Sequence, residues 1–322
     1  MPDAQDTPQP DGQVSDAVAG NLVDKYAPKW TRPYLRLSRA DRPIGTWLLL
    51  IPCWWGALLA ASFQGRFAWT EAWVMIGCAA GAWLMRGAGC TWNDITDRKL
   101  DGEVARTRSR PIPSGQVTVR QAVIWMCVQA LIAFAILLTF NWTAILLGIG
   151  SLGLVAIYPF AKRFTWWPQA FLGLAFNWGA LLAWAAVTGA LHVPALFLYA
   201  AGIVWTLFYD TIYAHQDKED DALIGVKSTA RLFGTATHVW LRWFMILSVI
   251  LMGAAVVTTM SGDHSALALV IGIGAPWAFG WHLAWQNRVL DIDDPALCMR
   301  LFRANRNAGL LPVLFFALSL FL

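Results

Sequence analysis

Charge is scarce in this chain. Only 14% of its residues are Asp, Glu, Lys or Arg, against about 25% in a soluble domain. Cysteine is scarce and unpatterned. There are five, an odd number, with no CxxC pair and no Cys/His cluster. That argues against a disulfide framework and a zinc site, and leaves Cys53, Cys78, Cys90, Cys127 and Cys298 as inert thiols. No HExxH or similar spacing exists among the five His, so structural or exposed roles are expected for them. No basic patch interleaved with aromatics points to nucleic acid. The N-terminal stretch has no short apolar core with a cleavage site, so it is not a secretory signal. With Asp3, Asp6, Asp11, Asp16 and Asp24 it is also too acidic for a mitochondrial transit peptide. Residues 1–30 therefore read as a disordered cytosolic tail and 31–322 as the functional domain, which favours a bacterial inner membrane over an organelle.

What is present is apolar. Hydrophobic residues make up 57% of the chain and Trp occurs 20 times, a composition that predicts a multi-pass membrane protein with aromatic belts. About nine apolar segments approach spanning length: residues 44–62, 69–90, 119–140, 143–161, 169–189, 194–213, 238–260, 265–286 and 307–322. A sheet is excluded, because lipid leaves open strand edges without water. The expected fold is all-α, a bundle of about nine transmembrane helices. Nearly all of the 24 Lys and Arg fall on one side of this topology; Arg66 alone lies in an opposite-side loop and Arg86 lies inside the second helix. The positive-inside rule then puts the N-terminus in the cytoplasm. Helices 2 and 6 each end in an acidic cluster followed by a basic loop, Arg110-Pro-Ile-Pro-Ser-Gly115 and Gly225-Val-Lys-Ser228. This resembles a degenerate four-helix repeat plus a final helix, with a central cavity between the repeats.

The two acidic clusters are costly beside hydrocarbon and need a reason. In the first, Asn93, Asp97 and Asp101 are spaced i, i+4, i+8, and Asp94 and Asp97 are i, i+3, so on a helix they share one broad face. In the second, Asp210, Asp217 and Asp221 are spaced i, i+7, i+11, again one face of a continuing helix. Like charges gathered so closely repel unless a cation sits among them. Mg2+ takes oxygen ligands and keeps substrate phosphate and water in its shell, so the pattern points to Mg2+ bridged to a diphosphate. A solvated acidic loop is the plainer alternative, and it explains one such cluster better than two at equivalent helix ends.

Other residues extend the pattern. Tyr158 and Lys162, spaced i, i+4 beside Arg163, can reach a diphosphate oxygen from the membrane boundary. Interfacial anchoring explains the same pair. Arg98, Arg106, Arg108 and Arg110 supply phosphate contacts or only topogenic charge. Arg86 lies seven residues before Asn93, two turns deeper on the same face and about 10 Å away along the axis. A guanidinium at that depth needs an anionic partner, either the carboxylate of a small acid or an Asp of the protein. Asp41 and Arg42 line the same cavity or anchor the first helix at the interface.

These strings resemble the UbiA-type intramembrane aromatic prenyltransferases, and within them the 4-hydroxybenzoate polyprenyltransferases. The paired motifs stand here as Asn93-Asp-Ile-Thr-Asp-Arg-Lys-Leu-Asp101 and Asp217-Lys-Glu-Asp-Asp221. Arg86-Gly-Ala-Gly-Cys-Thr-Trp-Asn-Asp94, Tyr158-Pro-Phe-Ala-Lys-Arg163, Tyr209-Asp-Thr-Ile-Tyr-Ala-His-Gln-Asp217 and Gly225-Val-Lys-Ser-Thr-Ala230 look like the benzoate subgroup. The resemblance runs from about residue 32 to the C-terminus. It implies Mg2+–diphosphate binding by Asn93, Asp94, Asp97, Asp101, Asp217 and Asp221, with Asp210 in support. It further implies diphosphate contacts from Tyr158 and Lys162, and a benzoate contact from Arg86. The implied reaction is transfer of a polyprenyl group from polyprenyl diphosphate to 4-hydroxybenzoate, ortho to the hydroxyl, a membrane step of ubiquinone biosynthesis. Another aromatic acceptor is the alternative within the class. A cation-coupled transporter is the alternative outside it; carboxylates at helix ends among Asn and Arg suit diphosphate better than a midplane ion site.

Overall fold

The computed structural model describes residues 17, 18, 20–103, 107–223, 225–262 and 264–322, apart from the side chains of Asp220, Asp221 and Leu223. Every regular element among the described residues is helical: α1 (Leu22–Tyr26), α2 (Arg32–Leu37), α3 (Ile44–Phe63), α4 (Trp69–Glu103), α5 (Val119–Leu137), α6 (Trp142–Phe164), α7 (Pro168–Thr188), α8 (Val193–Ala214), α9 (Lys218–Leu223), α10 (Thr229–Phe233), α11 (Thr237–Met260), α12 (Ala266–Val289) and α13 (Pro295–Ser319). Short 3-10 turns sit at His215–Asp217 and Gly234–Ala236.

The expected apolar segments fall on the long helices α3–α8 and α11–α13. Among the described residues, seven helices are long and apolar enough to cross a membrane. The long helices outside that set are α4 and α13, whose sequences carry clustered charge. Their ends also differ from expectation. The second helix, expected to stop at 90, runs unbroken to Glu103, because Trp92–Glu103 contains no proline to break the ladder. The last helix starts at Pro295 rather than 307, with the Asp294 carboxylate accepting from Leu297 N at 3.0 Å. That is a proline at the first position behind a good N-cap. Leu131, Ile132, Leu146, Ile149 and Leu152 of α5 and α6 are exposed. An apolar surface of this kind suits lipid and is costly in water.

The chain divides into two compact units, residues 1–45 with 83–134 and residues 46–82 with 135–322. In the first, Leu37, Ile95, Ile112, Val117 and Ala122 form the core, with Tyr34 and Trp125 against it. Structure begins inside the expected tail. Asn21 caps α1 by accepting from Asp24 N, and Arg36, almost wholly buried, pairs with Asp24 at 2.9 Å. The rest of that tail, residues 1–16 and 19, lies outside the described residues.

In the second unit the core is aromatic. Trp55, Trp205 and Phe279 pack with centroids 5.1–5.8 Å apart. Their polar edges are satisfied: Trp55 Nε1 donates to Gly309 O at 2.8 Å, and Trp205 Nε1 to Asn305 Oδ1 at 2.9 Å. Asn305 in turn donates to Gln286 Oε1 at 2.9 Å. Small residues let helices meet closely, as lipid-embedded bundles require. A Cβ on Gly56 of α3 would stand 2.3 Å from Ala180 O of α7.

Candidate functional site

The first acidic cluster occupies the last turns of α4. Asp94, Asp97 and Asp101 are 0%, 2% and 8% exposed, and Asn93 is half-buried. Burial of three carboxylates on one helix demands compensation. Two arginines supply part of it. Arg39 Nη2 donates to Asp94 Oδ1 at 2.5 Å. Arg110 Nη1 lies 3.4 Å from the same oxygen and donates to Asp101 Oδ2 at 2.8 Å. The other Asp94 oxygen, Oδ2, is buried and accepts no hydrogen bond among the described residues.

The loop that carries Arg110 is held from below. Ile112 and Val117 insert into the core beside Ile95 of α4, and Thr107 Oγ1 donates to Asp101 O at 2.8 Å. Arg39 is held by its backbone. Ala40 N donates to Leu35 O and Arg39 N to Arg36 O, both at 3.0 Å, and Arg39 has φ 57°. This is the paired-bond terminus of α2, at a position that glycine usually fills. The Arg39 guanidinium is held above its ordinary pKa: burial alone would lower it, and the attraction of Asp94 with help from Cys90 and Asp41 prevails. The Asp101 carboxyl is pushed up, chiefly by burial, with Asp94 and Asp97 adding to the rise and Arg110 opposing it.

Arg86 lies on α4 within the same unit. It is half-buried, and its guanidinium fits only because residue 45 has no side chain. A Cβ there would stand 2.5 Å from Nε and 2.6 Å from Nη2. Arg98, expected toward phosphate, is exposed and donates from Nη1 to Ile95 O of its own helix at 2.8 Å. Arg106 lies outside the described residues.

The second unit carries the remaining candidates. Tyr158 and Lys162 are half-buried in the last turns of α6, and Lys162 O accepts from Lys227 N at 3.2 Å. Arg163 is exposed, with its guanidinium 5.2 Å from the Phe160 ring centre. Asp210 is half-buried in the last turn of α8, and Asp217 closes the 3-10 turn that follows. That turn corrects the expected single helical face. Three residues wound at 120° instead of 100° advance the phase by about 60° between Asp210 and α9. The backbone of Asp221 lies in α9, and its side chain is outside the described residues. His215 is buried with Nε2 3.0 Å from Thr237 Oγ1, the structural role expected of it.

The side-chain donors of the first cluster's carboxylates are oxygens, which fits a hard divalent cation such as Mg2+ better than a soft one. Among the described residues no three His, Cys, Asp or Glu side chains stand close enough to hold one ion by themselves. Sequence reasoning missed Arg39, which it counted only as topogenic charge. It left Arg110 open between two roles. The signal available was the cost of burying Asp94: a carboxylate inside a helix face needs a cation, and the basic stretch before α3 supplies one.

The chain is similar to known proteins over most of its length. The UbiA prenyltransferase family model matches residues 49–318. The mitochondrial 4-hydroxybenzoate polyprenyltransferase of Homo sapiens is 46% identical over 307 residues, covering 94% of this chain and 79% of that protein. The Aedes aegypti protein of the same name is 47% identical over 285 residues, 87% of this chain, which spans only 61% of that protein's length. Among solved structures, a UbiA homolog from Archaeoglobus fulgidus bound to DMAPP and Mg2+ superposes with TM-score 0.65 at 19% identity, covering 90% of this chain and 99% of that one. The apo UbiA homolog from Aeropyrum pernix gives 0.63 at 24% identity, covering 86% and 96%. These structures share the fold, and the match over most of the sequence, together with the two acidic motifs on their helices, means that the chain belongs to the UbiA prenyltransferase family.

Proposed function

We propose that the protein transfers a polyprenyl group from polyprenyl diphosphate to 4-hydroxybenzoate, ortho to the hydroxyl, as a membrane step of ubiquinone biosynthesis. The observation that carries this is the buried acidic face of Asp94, Asp97 and Asp101 with Arg86 two turns along the same helix. Relatives at 45–47% identity bear the name of that activity, which supports the choice of acceptor.

Asn93, Asp94, Asp97 and Asp101 in the first unit, and Asp217 and Asp221 in the second, hold Mg2+–diphosphate in this reading. When bound, Mg2+ offsets the charge of the leaving diphosphate, so that the allylic C–O bond breaks more readily. Tyr158, Lys162, Arg163 and Arg98 add donors to diphosphate oxygens; for Arg98 this requires release from Ile95 O. Arg86 takes the carboxylate of the aromatic acid in a charge-assisted pair and sets the ring's orientation. The ring carbon ortho to the hydroxyl bonds to the allylic carbon, diphosphate leaves, and the ring proton passes to a carboxylate, for which Asp210 is the candidate. The apolar surround keeps water from the allylic cation.

The multi-pass membrane setting is proposed as a bacterial inner membrane with N-terminus and active site on the cytoplasmic side. The Lys and Arg distribution supports that orientation. The test is product formation in purified protein or membranes given 4-hydroxybenzoate and a polyprenyl diphosphate, with and without Mg2+. Prenylated benzoate formed only with Mg2+, and lost in Asp94→Ala and in Asp217→Ala proteins that still fold, is expected. Full activity in both variants overturns the metal assignment. Substrate counterflow in liposomes without product overturns the enzyme in favour of a transporter.

A further inference from the structure

Asp94 cannot offer both oxygens to a metal in the structure described, because Oδ1 is already shared by Arg39 and Arg110. Arg110 also takes Asp101 Oδ2. The two guanidinium groups engage carboxylate oxygens that a divalent cation would use, Asp94 Oδ1 and Asp101 Oδ2, and both are nearly buried. The backbone at Arg39 sharpens the point. A residue with a Cβ occupies the left-handed terminus of α2, where glycine relieves strain. The turn itself therefore gives no reason for arginine; the contact with Asp94 does.

We infer that Arg39 and Arg110 are built-in counter-ions of the first acidic cluster, occupying its carboxylates until Mg2+ arrives with diphosphate and then exchanging them for phosphate oxygens. This rests on the proposed metal–diphosphate function and adds to it a competition between arginine and metal. Without the arginines, three buried carboxylates would repel one another or take up protons. With them, two of the three charges are offset and the cluster is preformed, and free Mg2+ binds weakly until a diphosphate offers the guanidinium groups a new anion. Arginine suits this exchange because its fork pairs equally with carboxylate and phosphate. Metal and diphosphate thus bind cooperatively, each arrival making the other's site available.

The sharp test is Arg39→Gly, since glycine keeps the left-handed turn while removing the side chain that carries the guanidinium. Mn2+ binding to the purified full chain is followed by electron paramagnetic resonance, first alone and then with geranyl diphosphate. Arg39→Gly should bind Mn2+ alone about tenfold more tightly than wild type, the effect of removing one like charge a few ångströms away. The same variant should gain less from added geranyl diphosphate, and Arg39→Lys should stay near wild type. Arg110→Met should move in the same direction. A merely structural arginine predicts Mn2+ binding that is unchanged or weaker in folded Arg39→Gly, and that result overturns the exchange. If wild type itself takes up no Mn2+ with or without geranyl diphosphate, the metal–diphosphate reading falls instead, and the exchange with it. Circular dichroism and melting confirm folding. Should Arg39→Gly not fold, the turn needs arginine for itself and Arg110→Met carries the decision.

Discussion

Gly45→Ala should weaken recognition of the aromatic acid while leaving the protein folded. Residue 45 is the second residue of α3, where alanine is favourable for helix formation. Its Cβ, however, would stand 2.5 Å from Arg86 Nε, 2.6 Å from Nη2 and 2.8 Å from Cζ. Ordinary contact needs about 3.5–4.0 Å, so the guanidinium must retreat by about 1 Å. A shift of that size breaks the alignment of a charge-assisted pair worth about 1.5–3 kcal/mol. The KM for 4-hydroxybenzoate should rise about 10- to 100-fold. The KM for polyprenyl diphosphate should change little. Steady-state kinetics with each substrate varied in turn would measure both, and a melting curve would show that the fold survives. Arg86→Met should reproduce the loss, and the double variant should be no worse than Arg86→Met alone, because both act through one contact. A Gly45→Ala enzyme with wild-type KM for the acid, alongside a defective Arg86→Met, would refute the steric argument.

Three further outcomes test the structure. Asp24→Asn leaves the Arg36 guanidinium, 2% exposed, without its 2.9 Å carboxylate partner, and should cost about 3 kcal/mol in thermal unfolding; removing residues 1–30 should cost at least as much. Burial pushes the Asp41 carboxyl up to about 6, against the pull of Arg39 and Arg36. The folded state thus binds that proton more tightly than the unfolded chain, so stability falls as pH rises from about 4 through about 6. Asp41→Asn should flatten that slope of Tm against pH, and an unchanged slope would assign it elsewhere. Asn305→Ala strips partners from the buried Trp205 indole and Gln286 amide and should cost about 2–4 kcal/mol in the melting of the detergent-solubilised protein.

The helical architecture was legible because spanning length and hydropathy are local properties. The acidic motifs were legible because carboxylates beside apolar runs are rare and regularly spaced. What escaped depended on hydrogen bonds that hydropathy does not register. The second helix reads as ending where its apolar residues stop, yet its backbone ladder has no reason to stop before Glu103. The face shared by Asp210 and Asp217 was drawn with uniform α geometry, and the tightened turn at His215–Asp217 rotates it. Arg39 looked like one more topogenic cation, since its left-handed backbone appears only once the end of α2 is seen. The helix at Leu22–Tyr26 hid in acidic, proline-rich surroundings, although Asn21 and Asp24 formed a cap within them.

The uninterrupted course of α4 has a consequence for how this chain can change. Its 35 residues extend about 52 Å, well beyond a hydrocarbon core of about 30 Å. Arg86 and Asn93 are two marks on one rigid ruler, and every hydrogen bond between them holds the interval. A ligand carried on a loop can absorb an inserted residue by rearranging the loop. Here a single insertion between 86 and 93 would swing the whole acidic face by about 100° and lengthen the interval by about 1.5 Å. The interval between Arg86 and the acidic face is therefore a property of chain length alone, open to adjustment by whole turns and closed to anything finer.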